Sequence, residues 1–483
     1  MTVWAPSTAL GRAEMASVAL TVLSSLGLLF LSYCFLALCR DRKRTSAQLA
    51  YFLEFNRIRP FVTRHGGTPR LHSRGETRIT SNGSPPAAAM LLLGMVISGK
   101  ELRAQNATTS AQGPATATGL QIPDAAPADP PLWRLNAFID VGYLLDFNHP
   151  SNHLFRNRGT TPRVNELDLN MAGVSARKDV STESRWGMEL AVHAGEDSKT
   201  FGFSSTVPNI SGANILRHFG RANVSYLAPV GKGLTVQAGI FSSFIGYDSL
   251  YAKDNFSYTR PWGADYTPYL MLGVNASYPL TQKLTVVGFL VNGYWHLADA
   301  NPIPSFGGQV AYKATDHWTA KQTILVGPHQ SDTSFELWRF LTDTTLEWKR
   351  QPLTVAFEYQ AASEKVAIAK QPRATWMAAQ LPVHWVMDKR WSVTVRPEVA
   401  WDSDGRWTGF PQTVKANTTT LEYRIPYRQA SAILRLEHRI DNSRGPGGGF
   451  FKDGEVRPGV VALVPTQNLL TFGAIVILDA KSH

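Results

Sequence analysis

From Trp133 to the end of the chain, apolar and polar residues alternate with a period of two, segment after segment, and one of the two faces is almost free of charge. Side chains along a β-strand point to opposite faces in turn, so this pattern reads as strands with one greasy side. In the first segment Leu135, Ala137, Ile139, Val141, Tyr143 and Leu145 share a face, while Asn136, Asp140, Gly142 and Asp146 fall on the other. Trp186, Met188, Leu190 and Val192 alternate with Gly187, Glu189, Ala191 and His193. Leu353, Val355, Phe357 and Tyr359 alternate with Thr354, Ala356, Glu358 and Gln360. A face kept this clean must meet either a second packed layer or lipid. Lys or Arg on a lipid face near mid-bilayer costs roughly 2–4 kcal/mol, and a buried sheet face is no kinder to charge. Alternation alone leaves the two readings level.

The connections separate them. Sixteen segments begin near Trp133, Val164, Trp186, Leu216, Leu234, Pro268, Leu284, Phe306, Trp318, Glu336, Leu353, Thr375, Trp391, Thr418, Ala430 and Asn468. Links after even-numbered segments are mostly short, as at 231–233, 279–283, 315–317, 349–352, 387–390 and 426–429; 178–185 is the longest. Links after odd-numbered segments run longer, as at 196–214, 247–267 and 442–466. One rim of tight turns and one of loops is the layout of an outer-membrane barrel, with the short turns on the periplasmic side. Nine aromatics agree. Tyr226, Tyr278, Tyr312, Trp348, Trp385 and Tyr423 lie just before short turns on the apolar face, and Trp186, Trp318 and Trp391 just after them. Rings at one height make an interfacial girdle. The expected fold is all-β: a transmembrane antiparallel β-barrel of about 16 strands, within 14 to 18, behind an N-terminal helical or disordered leader.

The leader, residues 1–104, holds two apolar runs. Residues 16–39 form 24 positions without a charge, long enough to span a bilayer as a helix, and Arg40, Arg42, Lys43 and Arg44 follow. Residues 87–97 have the length of a signal-peptide core, and the segment 87–104 ends in a loose small-residue cleavage site at Leu102-Arg103-Ala104. A barrel bound for the outer membrane must leave the inner one. Export through the second run is therefore preferred, with the first 85 or so residues removed or bypassed by a start near Met90. A retained anchor at 16–39 is the alternative. Residues 105–132, rich in Ala, Thr, Pro and Gln, read as a disordered linker. The body is thus 133–483.

Charge narrows the function. The chain carries a net +11, but residues 1–104 hold 13 Lys/Arg against 5 Asp/Glu, and the remainder 35 against 32. The basicity belongs to the leader, which argues against a nucleic-acid partner. Cys34 and Cys39 are the two cysteines, so the body has neither disulfide nor thiolate site. The histidines lack HExxH spacing, and neither GxSxG nor a phosphate-binding glycine loop occurs. Asp402-Ser-Asp404-Gly405 starts like a calcium loop but lacks its later acid. No cofactor, metal or catalytic residue is expected, and the chain reads as a non-enzyme.

Several stretches resemble the OmpL-like β-barrel porin family: Asp140-Val-Gly-Tyr143, Gly239-Ile-Phe-Ser-Ser-Phe-Ile-Gly-Tyr247 leading to Asn255-Phe-Ser-Tyr-Thr-Arg260, Arg396-Pro-Glu398 with Asp402-Ser-Asp404-Gly405, and Arg435-Leu-Glu437-His-Arg439-Ile-Asp441. The resemblance implies a porin of the bacterial outer membrane, partnered by lipid and by small hydrophilic solutes that diffuse passively through a water-filled channel, with a homo-oligomer left open. The polar parity places Asp140, Asp146, Glu189, His193, Arg217, Arg221, Lys313, Lys321, Arg339, Asp343, Glu347, Glu358, Arg396, Glu398, Arg435, Glu437, Arg439 and Asp441 on the inward face as expected pore lining. The bland alternative for Arg396, Glu398, Arg435, Glu437 and Arg439 is a structural ladder between nearby strands. Residues 247–267 are the expected constricting loop, and Pro397 in mid-strand predicts a bulge. The rival functions are a non-conducting surface or adhesion barrel and a barrel hydrolase.

Overall fold

The computed structural model describes residues 133–201, 213–294, 297, 303–329, 335–366 and 373–482; the leader and linker read from the sequence lie outside them. The strands are β1 (Trp133–Asp146), β2 (Leu167–Lys178), β3 (Trp186–Ala194), β4 (Phe219–Ala228), β5 (Leu234–Ser242), β6 (Leu270–Pro279), β7 (Leu284–Val291), β8 (Ser305–Lys313), β9 (Trp318–Gly327) and β10 (Arg339–Arg350). They continue as β11 (Leu353–Glu364), β12 (Ala374–Gln380), β13 (Val383–Val386), β14 (Trp391–Asp402), β15 (Gln412–Tyr427), β16 (Ala430–Arg444), β17 (Phe450–Arg457), β18 (Val460–Val464) and β19 (Thr466–Ser482). Each barrel strand pairs antiparallel with its sequence neighbours, and β1 pairs with both β2 and β19, so the sheet closes and has no edge. β17 and β18 form a separate hairpin.

The barrel has sixteen strands, because β12 and β13 are one strand interrupted. Gln380 faces Glu398 and Val383 faces Val395, a single register carried across Leu381 and Pro382. Pro382 has no N–H to give the ladder, which breaks the run there. Pro397 behaves differently from expectation. No bulge forms; it sits in register opposite Asn417, and its carbonyl accepts from Leu381 N–H at 3.0 Å. Its missing donor falls at the interruption between β12 and β13, where little pairing is lost.

Other boundaries differ from the sequence reading. β2, β4 and β10 each start three residues later, at Leu167, Phe219 and Arg339, and β15 starts six earlier, at Gln412 rather than Thr418. Residues 413, 415 and 417 are Thr, Lys and Asn on the outward face, so the apolar signal fades before the strand ends. The hairpin β17–β18 occupies a stretch read as loop, since its glycines and charges mask any alternation.

Burial is inverted relative to a soluble sheet protein. Inward Asp140, Glu358, Glu437 and Arg439 are at most 3% exposed, whereas outward Leu135, Ile139, Phe472 and Leu478 are 43–53% exposed. No second protein layer covers the greasy face in the described chain, so lipid is what it is built to meet. The girdle is present: Trp186 lies 4.7 Å from Tyr226 and Trp391 4.5 Å from Tyr423, and Trp318 pairs with Trp348. Val274, outward on β6 and four residues from girdle Tyr278, tests the assignment. Val274→Arg should destabilise the folded barrel in liposomes by about 2–4 kcal/mol. A urea unfolding midpoint unchanged from that of Val274→Leu would contradict lipid contact there.

Candidate functional site

The seven short links are 179–185, 229–233, 280–283, 314–317, 351–352, 387–390 and 428–429. All the other connections lie at the opposite rim, and one of them, residues 243–269, turns into the lumen. Its neck is closed by Ser243 N–H donating to Tyr269 O at 3.0 Å. The segment is rich in aromatics that a water-exposed loop would waste: Tyr247, Tyr251, Tyr258 and Trp262 are all at most 6% exposed. Gly246 takes φ +90 where the loop bends, a conformation that favours glycine.

Wall charges grip the loop's backbone and its polar tips. The Glu437 carboxylate accepts from the N–H groups of Tyr258 (2.6 Å) and Thr259 (3.0 Å) and from the Thr259 hydroxyl. Tyr258 donates its phenol to Asp140 at 2.6 Å and accepts from Asn170 at 2.7 Å. Its ring lies flat against the barrel at Gly142 and Gly473, paired residues of β1 and β19; a Cβ on either would come within 2.4 Å of it. Glu398 accepts from Trp262 N–H at 2.6 Å, and Asp441 from its indole at 2.8 Å. Arg435 donates to the carbonyls of Ala252, Ser257 and Asn255 at 2.5–3.1 Å, and Arg396 to Thr259 O at 2.8 Å. On the far side, Tyr247 donates to Glu347 at 2.7 Å, and Gln309 and Thr323 both donate to Phe244 O at 2.8 Å. Phe256 stacks on His384 with centroids 4.1 Å apart. The loop therefore crosses the whole lumen.

A second layer of ion pairs ties this loop to its neighbours. Arg260 meets Asp197 of the helical turn Glu196–Phe201 at 3.0 Å, and Arg158 meets Asp265 at 2.8 Å, all four side chains fully buried. Burial pushes the Asp197 carboxyl up to about 7, although Arg260 pulls the other way. Burial likewise raises Asp248, which accepts from Gln380 at 2.6 Å.

Most of the residues expected inward are there. Lys321, Thr345 and Glu358 form one cross-strand row on β9 to β11, with Asp343 and Glu347 two positions to either side of Thr345. Glu189 pairs with Arg221 at 2.8 Å, and His193 contacts Tyr251 OH at 3.0 Å. Arg339 pairs with Glu364 at 2.9 Å, between the rings of Tyr294 and Trp376. Asp146 ends β1 and caps Asn148 N–H at 2.9 Å. Two residues are placed elsewhere than a lumen wall: Arg217 precedes β4 in the connection, and Lys313 lies exposed at the short-turn rim, 3.8 Å from Asp316. The structural ladder is realised in cross-strand ion pairs, Arg439 to Glu398 at 2.8 Å and Arg435 to Glu422 at 2.8 Å, and its members also clamp the loop. Asp402 caps its own turn, accepting from the N–H groups of Arg406, Trp407 and Thr408. Among the described residues no cluster of acids, His or Cys could hold a metal ion.

Sequence reading missed Asn170, Asp248, Tyr258, Trp262 and Gln380. The available signal was an aromatic-rich long link, which marked the segment but not its partners. The loop leaves part of the wall uncovered: inward Arg221, Ser225, Thr235 and Gln237 on β4 and β5 are only half-buried.

The family described as "Putative beta-barrel porin-2, OmpL-like" matches residues 133–478. Among curated proteins none matches. Similar solved structures include OmpT of Vibrio cholerae in its trimer form (10% identity, TM-score 0.44, covering 73% of this chain and 100% of that one). The anion-selective porin from Comamonas acidovorans is 9% identical, with TM-score 0.42, covering 72% and 99%. OccK3 (OpdO) of Pseudomonas aeruginosa is 11% identical, with TM-score 0.38, covering 74% and 97%.

Proposed function

We propose, from the premise that the chain belongs to the OmpL-like β-barrel porin family and resides in the bacterial outer membrane, that it passes small hydrophilic solutes passively through a channel narrowed by loop 243–269. The observation that carries this reading is the half-buried polar strip on β4 and β5, in contrast to the wall residues buried against the loop. Solutes would pass between that strip and the loop's near face, where Arg221 feels the charges of Glu189 and Asp254. Exclusion is then by size at the loop and by the paired charges lining the gap. Of the residues expected to line the pore, Glu347, Arg396, Glu398, Arg435, Glu437 and Arg439 also bond the loop, whereas Arg339 pairs with Glu364 of the wall.

A second reading is favoured by the number of those anchors. A loop held by Glu437, Glu398, Asp441, Arg435 and Arg396 together would seal the barrel, leaving a non-conducting surface protein. Planar-bilayer recording of the full chain decides between them. The porin reading expects small, discrete, ohmic steps. A folded barrel that inserts and stays silent overturns it.

A further inference from the structure

The sequence from 105 onward is nearly neutral, with 35 Lys/Arg and 32 Asp/Glu, and that balance conceals segregation by height. Taken with two flanking residues on either side, the seven short links hold eleven Lys/Arg against four Asp/Glu. Each link contributes at least one cation: Arg185, Lys232, Lys283, Lys313, Arg350, Lys389 and Arg428. All but the half-buried Arg185 are exposed. The antiparallel circuit sets every short link on one rim, just beyond the aromatic girdle, so the cations form a collar around the barrel.

Their neighbours leave most of the charge in place. Lys232 donates to Leu280 O at 2.6 Å, Lys283 to Ala314 O at 3.0 Å and Arg185 to Leu227 O at 3.2 Å. Carbonyls orient these groups without neutralising them. Of the rim's acids, Asp179 is engaged by Arg134 and Arg177, Asp388 caps the backbone of Arg390 and Trp391, and Asp316 lies 3.8 Å from one collar cation, Lys313. The collar is also fastened to the aromatic ring: Arg390 donates to Tyr423 OH at 3.0 Å, and Arg428 lies 5.6 Å over Tyr427.

We propose that this collar binds the phosphates of anionic phospholipids in the leaflet that meets the short-turn rim. Interfacial Trp and Tyr sit at headgroup depth, so cations one step beyond them lie level with the phosphates. The charge runs all the way round, which suits an annulus of lipid; a protein partner would need only one arc. Each Lys or Arg held near an anionic surface strengthens association about fivefold.

The test uses the full chain reconstituted in vesicles of equal parts phosphatidylglycerol and phosphatidylcholine, then extracted gently and assayed for retained lipid by native mass spectrometry. Phosphatidylglycerol should be retained in several-fold excess. The excess should vanish in the variant carrying Lys232→Gln, Lys283→Gln, Lys389→Gln and Arg428→Gln, whose folding is checked by its heat-modifiable gel migration. Neutralising Lys415, Arg444, Lys452 and Arg457 toward the opposite rim should leave the excess intact. Equal retention of the two lipids by the unaltered chain overturns the proposal, as does an undiminished excess in the collar variant. So does a collar variant that keeps its lipids but loses binding to isolated cell-wall sacculi. None of these readouts depends on conductance.

Discussion

Arg439→Leu should lower the unfolding free energy of the barrel by about 3–5 kcal/mol, because it strips the partner from two buried carboxylates at once. Arg439 is fully buried, and its guanidinium reaches both oxygens of Asp441 (3.0 and 3.1 Å), Glu398 (2.8 Å) and the carbonyl of Arg260 (3.1 Å). Removing it leaves Glu398 and Asp441 in mutual repulsion, with Arg396 the nearest replacement at 3.7 Å from Glu398. Those two carboxylates also hold the Trp262 backbone and indole, so the loop would loosen with them. Arg439→Lys should recover part of the loss, since one ammonium cannot reproduce a planar fork aimed at two acids. Adding Asp441→Asn to Arg439→Leu should recover part as well, by deleting one orphaned charge. Urea titration of the refolded barrel measures all three. A midpoint for Arg439→Leu equal to that of the unaltered chain would mean that the lumen is wet enough to solvate the acids.

How much of this was written locally in the chain differs between wall and site. The wall was legible because each strand repeats one rule: Val355, Phe357 and Tyr359 face out while Glu358 and Gln360 face in, and a one-residue slip would put carboxylates into lipid. The rule fails where its cause does. Lys415 stands outward near the loop-side end of β15, so six residues of β15 lost their signature; Lys313 keeps inward parity but lies at the rim, so parity alone misjudged its place. The lumen charges were legible as a set and not as pairs. Glu437 meets Tyr258 across 179 positions of sequence, and nothing in the spacing around either residue records the other. What joins them is the inward fold of loop 243–269, a tertiary event set by closure of the barrel. In retrospect Gly142 and Gly473 were its trace on the wall, since only glycine leaves room for the Tyr258 ring.

On the proposed porin reading, that same inward fold makes the loop the place where conductance is decided. Replacing residues 248–266 by a short Gly-Ser linker should raise single-channel conductance several-fold, because a 16-stranded barrel freed of its filling is wide enough for an aqueous channel. The deletion removes the loop partners of Glu437, Arg435 and Arg396 but leaves them Thr420, Glu422 and Thr418 on the wall, so it should cost less stability than Arg439→Leu. Water enters where the loop was and solvates the charges it leaves, whereas Arg439→Leu strands its acids beneath a loop that, though loosened, still occupies the lumen. The two readings of function diverge at the starting point. A porin gives small steps that become large ones on deletion; a sealed barrel is silent before deletion and conducts only after it. Equal conductance with and without the loop would show that flow bypasses it entirely, and the half-buried strip of Arg221, Ser225, Thr235 and Gln237 would then be a wall residue set with no part in limiting passage.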